Sequence, residues 1–420
     1  KGVMITHRNF IANLFDIAEV IAPYETDQFL SVLPMHHAFE FTCGFLMPIF
    51  GGACITCVTA LKSRVILETM QETGTTCLVG VPRLFKLFHD GIRSEFEKAG
   101  ALKGGVVGAL KTVSGASHAL TGGYQSGRKL FSKVHEKFGG RVRVFISGGA
   151  ALDPDVFEDF QKMGFPICEG YGLTETAPVL TVNPLEKTRR GSVGPPLPNI
   201  ELRLENADAD GVGEIAVRGP SIMKGYYKND EATNKVLKGD WFHTGDLGRL
   251  DEEGYLTITG RIKDLIVTAA GKNVYPDEVE YLYRDLPTVK EMSVVGLRPE
   301  GSVGEQVHLV LVLDGDKDAS EAEREIQQQV ARISRDVPSY QRVQKVHFWY
   351  EEFPKTPTLK VKRALIQKML LDEETPGTEE SAEVEEADSV AENASWEDEF
   401  VHLLSDLSRV PAKDIRADSD

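Results

Sequence analysis

Helical and apolar-strand patterns alternate along the first part of this chain, and that alternation limits what it can fold into more than any other feature. Asn9–Val20 and Val81–Ile92 carry apolar residues at helical spacing, whereas Thr76–Gly80, Val142–Ile146 and Phe165–Glu169 are short apolar runs. Buried strands separated by helices predict open α/β sheet layers. Between about Gly191 and Gly260 the pattern changes to short strands such as Glu201–Leu204 and Gly213–Arg218, set between Gly and Pro turns. This predicts a small β-barrel subdomain. After Arg261 come a helix from about Pro276, strands near Met292–Gly296 and His308–Val312, and a helix over Ser320–Val337 that Ser320 would cap. The expected organisation is a large domain over 1–261, α/β over 1–190 and β over 191–260, then a small α+β domain over 262–371.

From Asp372 the composition turns acidic, with no Lys or Arg between Lys368 and Arg409, and 372–395 reads as a linker that cannot bury enough apolar surface to order itself. Phe400, Leu403, Leu404 and Leu407 then recur at helical spacing, so a further domain is expected to begin over 396–420. The net charge of -17 argues against nucleic acid as a partner, since the chain would repel a phosphate backbone. Five cysteines without a disulfide-like framework fit a reducing compartment, with cytoplasm as the expectation. Cys54 and Cys57 have the spacing of half a zinc site without a second pair, and read as core cysteines of a strand. Phe41–Leu61 is uncharged and about a membrane span long, but Gly44, Pro48, Gly51 and Gly52 interrupt it. A core helix, turn and strand is expected there, with no transmembrane segment and room only for peripheral membrane contact.

Two loops follow apolar strands and concentrate chemistry. Ile146-Ser-Gly-Gly-Ala-Ala151 and Cys168-Glu-Gly-Tyr-Gly-Leu-Thr-Glu-Thr176 fall where ligands bind in open α/β sheets, outside the carboxyl ends of strands. Their glycines let backbone approach a planar or phosphorylated ligand, Tyr171 offers a stacking face, and Thr174 and Glu175 could serve phosphate and a divalent cation. Either loop alone is equally an ordinary glycine-rich turn. Trp241-Phe-His-Thr-Gly-Asp246 and Gly260-Arg-Ile-Lys-Asp264 add a carboxylate and an arginine that could share ribose hydroxyls, although spacing also allows a turn acid and a surface cation. The basic run Pro354–Arg363 either covers an anionic ligand or forms a solvated charged face.

In order and spacing, Lys1-Gly-Val-Met-Ile-Thr-His7, Leu33-Pro-Met-His-His37, Tyr171-Gly-Leu-Thr-Glu-Thr176, Gly225-Tyr-Tyr227, Trp241–Gly248, Gly260–Asp264 and the terminal lysine motif resemble the adenylate-forming superfamily of acyl-CoA synthetases, luciferases and peptide adenylation domains. The resemblance covers about residues 1–368. It implies that a carboxylate attacks the α-phosphorus of ATP, giving acyl-adenylate and pyrophosphate, and that a thiol then displaces AMP. By similarity Tyr171 stacks on adenine, Gly149, Ala150 and Gly172 line the nucleotide pocket, Thr174 contacts phosphate and Glu175 holds Mg2+. Asp246 and Arg261 would bind ribose, and Lys360 would bridge the carboxylate and the α-phosphate. Lys263 matches the hinge about which the small domain moves, Gly271 the loop brought to a pantetheine tunnel, and His37 the acyl and pantetheine entrance. No third ligand joins His36 and His37, so a metal pair is not expected.

Thr356–Arg363 resembles the terminal motif of long-chain synthetases, with Leu359 where glycine is usual elsewhere. A long-chain fatty acid, ATP with Mg2+, and coenzyme A are the expected substrates and cofactors. An acyl carrier protein bearing phosphopantetheine is the alternative acceptor, and the tail resembles the start of such a carrier domain. Val267 stands where luciferases use a second lysine, which argues against oxygen chemistry. The chain starts at Lys1 rather than a methionine, and in the family a Ser/Thr/Gly-rich phosphate loop immediately precedes that position. Lys1 therefore reads as the surviving edge of that loop in an N-terminally truncated chain, with AMP binding but little catalysis expected of the fragment alone.

Overall fold

The computed structural model describes residues 2–58, 60, 62–98, 101–298, 302–313, 319–355 and 361–374. The chain forms two compact units, Lys1–Gln367 and Lys368–Asp420. In the second unit the described residues are the end of one helix, so the expected carrier-like tail and all but the first three residues of the expected linker lie outside them.

The first unit opens with α1 (His7–Val20), β1 (Gln28–Ser31), a π-helical stretch over Glu40–Leu46, α2 (Met47–Gly51) and β2 (Cys54–Cys57). It continues through α3 (Ser63–Thr73), β3 (Cys77–Gly80), α4 (Pro82–Lys98), α5 (Ala101–Thr121), α6 (Gln125–Leu130), α7 (Ser132–Lys137), β4 (Val144–Ser147), α8 (Pro154–Lys162), β5 (Ile167–Gly172) and β6 (Val179–Val182). These strands make one sheet in the order β2-β1-β3-β4-β5-β6, parallel except for β6. Side chains alternate across a strand, so Phe29, Cys77 and Val144 pack with Leu14 and Ile17 of α1 and with Cys43 and Met47, while Leu30, Leu78 and Phe145 pack with Ile66, Phe85 and Phe157 of α3, α4 and α8. Burial on both faces is why these strands read as unbroken apolar runs. The second layer is aromatic: Phe145 stacks on Phe165 at 5.4 Å and meets Phe160 edge-on at 5.6 Å.

The Phe41–Leu61 region is the expected helix, turn and strand, but its first part is π-helical and Gly52 closes α2 in a left-handed conformation. Cys54 and Cys57 correct the expectation for that strand. They do lie in it, but β2 is the sheet edge and both thiols are exposed rather than in the core.

Glu169, on β5, is buried; one carboxyl oxygen accepts from the Leu152 N–H at 3.0 Å and the other has no partner among the described residues. Burial pushes its pKa up to about 7, against a smaller opposing effect of that hydrogen bond. The folded state therefore holds a proton that the unfolded chain loses near the ordinary value of 4.5. The contribution of Glu169 to stability is fully present below that value, is lost as pH rises towards about 7, and changes no further above it. Glu169→Gln keeps the acceptor and removes the charge. Urea unfolding at pH 8 should find the variant more stable than the parent by up to about 3 kcal/mol, with the difference vanishing at pH 4.

A second sheet comprises β7 (Glu201–Glu205), β8 (Gly213–Arg218) and, after α9 (Asp230–Val236), β9 (Leu237–Lys238), β10 (Trp241–Leu250) and β11 (Leu256–Arg261). It is antiparallel in the order β11-β10-β8-β7, with β9 on β10. Its outer strands β7 and β11 do not pair, so it is a half-barrel. The short hairpin β12 (Ile266–Val267) and β13 (Asn273–Val274) leads to α10 (Pro276–Tyr283), β14 (Val289–Leu297), β15 (Gln306–Leu313), α11 (Ala319–Ile333), β16 (Lys345–Trp349) and α12 (Arg363–Glu374). The sheet β14-β15-β16 packs Val294 and Leu309 against Val279 and Ile326 of the helices. Helix α11 already includes Ala319, so Ser320 lies inside its first turn instead of capping it.

Among the described residues, contacts around Tyr275 and Arg284 help join this last α/β region to what precedes it, and Arg363 also lies 3.8 Å from Asp264. Tyr275 packs with Val212, Leu247 and Leu265, its hydroxyl donates to Asp208 at 3.1 Å, and Arg284 donates to Asp155 at 3.1 Å. No described helix is long and apolar enough to cross a membrane.

Candidate functional site

The loops after β4 and β5 stand at the carboxyl edge of the parallel sheet and share one cavity of about 440 Å³. Gly149, Ala150, Tyr171, Gly172, Thr174 and His37 all line it. Gly149 has φ +87° in the turn after β4, a conformation that favours glycine. Gly172 is required by a close approach instead: a Cβ there would lie 1.9 Å from the Pro178 carbonyl oxygen, because β5 and β6 slip register between Tyr171 and Gly172. That approach lets the Leu173 N–H reach the same carbonyl at 3.0 Å and sets up the 3-10 turn carrying Thr174 and Glu175.

Beside Tyr171, the half-barrel contributes a carboxylate held from two sides, although Asp246, Arg261 and Glu175 are not among the residues lining the cavity. Asp246 and Arg261 are cross-strand partners of β10 and β11, and Arg261 Nε donates to Asp246 Oδ1 at 2.6 Å. The Tyr171 hydroxyl donates to the other oxygen at 2.8 Å. Burial, then the Asp246 charge, raises the Tyr171 pKa well above the usual phenol range, so this hydroxyl stays a donor. Burial works against the Arg261 charge, but Asp246 more than offsets it and the guanidinium pKa is raised. A register shift in β10 between His243 and Leu247 aims Asp246 at the loop. Glu214 braces that shift, lying 3.1 Å from His243 Nδ1 and accepting from the Gly245 N–H at 3.3 Å. A carboxylate has about four lone-pair sites, so Asp246 retains capacity for ligand hydroxyls.

Glu175 accepts from the Tyr226 hydroxyl at 2.8 Å, and its backbone carbonyl accepts from the Met223 N–H at 2.8 Å. Tyr226 was not among the candidate site residues, though the Gly225-Tyr-Tyr motif was the signal that could have found it. The His36 and His37 rings lie 4.3 Å apart, and burial, then His36, lowers the His37 pKa, so His37 is neutral at pH 7. Lys263 and Gly271 are exposed and are not among the residues lining the cavity. Lys1 and Lys360 lie outside the described residues. Among the described residues no group of three His, Cys, Asp or Glu forms a metal cluster. A half-buried Glu175 beside the Thr174 hydroxyl nevertheless fits Mg2+, which binds through one or two carboxylates together with substrate phosphates.

From Gly149 the cavity continues as an apolar channel along one face of β4, past Ile146 and Val144, roofed by Ile17 of α1, by Ile21 just after it, and by Cys43 and Met47. A glycine-rich rim at the ends of parallel strands, with Tyr171 tied to an Asp–Arg pair of the half-barrel and opening onto such a channel, has the form of a nucleotide site in an α/β protein with room for an apolar group.

The chain belongs to the AMP-binding enzyme family, which matches residues 1–227, and its residues 278–360 match the C-terminal domain of AMP-binding enzymes. Neither match reaches 396–420. It is 32% identical over 374 residues to a long-chain-fatty-acid–CoA ligase of Escherichia coli O157:H7, covering 86% of this chain and 58% of that protein. Over 311 residues it is 33% identical to the peroxisomal long chain acyl-CoA synthetase 7 of Arabidopsis thaliana, covering 70% of this chain and 44% of that one. The chain thus spans less than two thirds of the length of these relatives. The fold is that of ATP-bound MatB from Rhodopseudomonas palustris, with TM-score 0.68, 26% identity, and 89% of this chain and 66% of that one covered. It also matches the o-succinylbenzoate coenzyme A synthetase of Bacillus subtilis in complex with ATP and magnesium ion, at TM-score 0.66 and 23% identity, over 86% of this chain and 66% of that one.

Proposed function

We propose that this protein is an AMP-forming acid–thiol ligase that activates a long-chain fatty acid with ATP and passes the acyl group to coenzyme A. The observation that carries this reading is the single cavity joining the glycine-rich rim to an apolar channel along β4, because it offers one space to a nucleotide and an alkyl chain together. The resemblance in sequence to long-chain-fatty-acid–CoA ligases supports the chain-length class.

In this reading Tyr171 stacks on adenine while its hydroxyl stays on Asp246. Asp246 accepts the ribose hydroxyls, and Arg261 holds the carboxylate in place for them. Gly149, Ala150 and Gly172 allow the backbone close to the nucleotide, and Thr174 donates to phosphate. When bound, Mg2+ on Glu175 neutralises charge on the phosphates, and the Tyr226 hydroxyl keeps that carboxylate oriented. Negative charge grows on the α-phosphate as the fatty carboxylate attacks and pyrophosphate leaves. Lys360 is assigned to that charge, where a cation in a water-poor pocket acts far more strongly than in solvent. Neutral His37 lies at the channel mouth, where acid enters and thiol arrives. Lys263 is assigned as the hinge, Gly271 as part of the thiol approach and Lys1 as the edge of the phosphate loop.

The test is to incubate the protein with Mg2+, ATP, coenzyme A and a series of straight-chain acids from acetate to stearate, and to read AMP. Release should rise with chain length and appear together with acyl-CoA. AMP binding without release from any acid would overturn the ligase reading for residues 1–420 alone and leave the AMP-binding chain expected from the sequence. Release that requires a carrier protein thiol in place of coenzyme A would identify the alternative acceptor.

A further inference from the structure

The apolar channel ends on a charged residue. It follows β4 from Gly149 back through Ile146 and Val144 to Arg143, and Phe29 and Cys77 at the starts of β1 and β3 also line it. That spans the four residues of β4 and the turn after it, roughly 18 Å, from the nucleotide rim to the amino edge of the sheet. Arg143 stands across this end. Its Nε donates to Asp27 Oδ1 at 3.0 Å and its Nη2 to Asp27 Oδ2 at 2.6 Å, a two-point clamp. Nη2 also reaches the Ala22 carbonyl at 3.1 Å and Cys77 Sγ at 3.4 Å, and the guanidinium lies 4.9 Å from the centre of the Tyr24 ring.

The clamp is itself anchored. Asp27 has a side chain only 3% exposed and accepts from the Thr76 hydroxyl at 2.7 Å and from the Tyr24 N–H at 3.0 Å. Arg143, 29% exposed, faces the cavity on one side, while Tyr24, 53% exposed, marks the solvent side. An alkyl chain advancing along β4 meets the guanidinium, and moving it aside breaks an ion pair whose carboxylate is buried.

We propose that Arg143, locked by Asp27, is the end stop of the acyl channel and sets the longest chain that the site accepts. The proposal rests on the fatty-acid reading above. An ion pair that merely ties the loop after α1 to β4 would affect stability alike for every substrate. An end stop instead divides substrates by length.

The experiment measures binding of saturated acids from octanoate to eicosanoate to the purified protein, by displacement of a fluorescent fatty acid, for the parent and for Arg143→Lys, Arg143→Ala and the double variant Arg143→Ala with Asp27→Asn. The double variant leaves no unpaired buried charge and keeps one acceptor oxygen at position 27 for the Thr76 hydroxyl or the Tyr24 N–H, so it remains informative if the single alanine variant does not fold. In the parent, affinity should rise roughly fourfold per methylene up to a limiting length and then fall. In the double variant the limit should move at least two carbons longer, with a gain of tenfold or more for acids beyond the parent's limit. Arg143→Lys should keep the parent's limit. An unchanged limit, with all lengths weakened equally, would overturn the end stop and leave a structural ion pair. Failure of the parent to bind any acid would instead refute the fatty-acid reading on which the proposal rests.

Discussion

Asp246→Ala lowers the affinity for AMP by at least a hundredfold, read by calorimetry. The carboxylate is the common partner of Arg261 and Tyr171, so its removal leaves a guanidinium and a buried hydroxyl without their acceptor. Breaking one side of a buried pair costs on the order of 3–5 kcal/mol, mainly because the surviving group stays desolvated. The ribose contact is lost as well. Asp246→Asn, which can still accept one hydrogen bond, should fall between parent and alanine variant. Tyr171→Phe removes only the hydroxyl and should weaken AMP binding by about tenfold, the scale of a single hydrogen bond. Equal AMP affinity in parent and Asp246→Ala would remove Asp246 from the nucleotide site.

Gly172→Ala produces the second large effect, and by a different route. Its methyl group would sit 1.9 Å from the Pro178 carbonyl oxygen, a backbone atom that cannot rotate away. The two strands must separate there, and the hydrogen bond from the Leu173 N–H to the same carbonyl goes with them. Overpacking of this kind costs about 1–3 kcal/mol, and the lost bond about 1 kcal/mol more. Urea unfolding should therefore register a loss of about 2–4 kcal/mol, and AMP binding should become undetectable because the displaced loop carries Thr174 and Glu175. Gly149→Ala is the control. A Cβ there meets only Val81 Cγ1, at 3.9 Å, so its penalty is the left-handed backbone alone, about 1 kcal/mol. If Gly172→Ala were no worse than Gly149→Ala, the close approach would not matter.

Much of the parallel sheet was legible because its strands are buried on both faces and therefore apolar throughout. Val142–Ile146 and Phe165–Glu169 announced β4 and β5 to within a few residues. The strand order was not legible, since β1 lies between β2 and β3 through pairings that no local pattern encodes. Cys54 and Cys57 were misread for the same reason: an edge strand and a central one can share residue types, and only the missing neighbour exposes the thiols. In the site, the loops around Gly149 and Tyr171 could be picked out by their position after strands. Their tie to Asp246 could not, because Tyr171 and Asp246 meet across two different sheets. Asp246 and Arg261 were ambiguous by spacing and become cross-strand partners only through the register of β10 and β11. Tyr226 and Arg143 escaped notice because what each touches, Glu175 and Asp27, is remote in sequence.

The join between the last α/β region and the rest of its unit has a consequence of its own. Among the described residues it includes a small apolar knot around Tyr275, a phenol on a carboxylate and a solvent-facing guanidinium on Asp155. Separating such a seam exposes little oil to water, and water and ions can replace each polar tie that is lost. The cluster formed by Asp246, Arg261 and Tyr171 offers no such substitution.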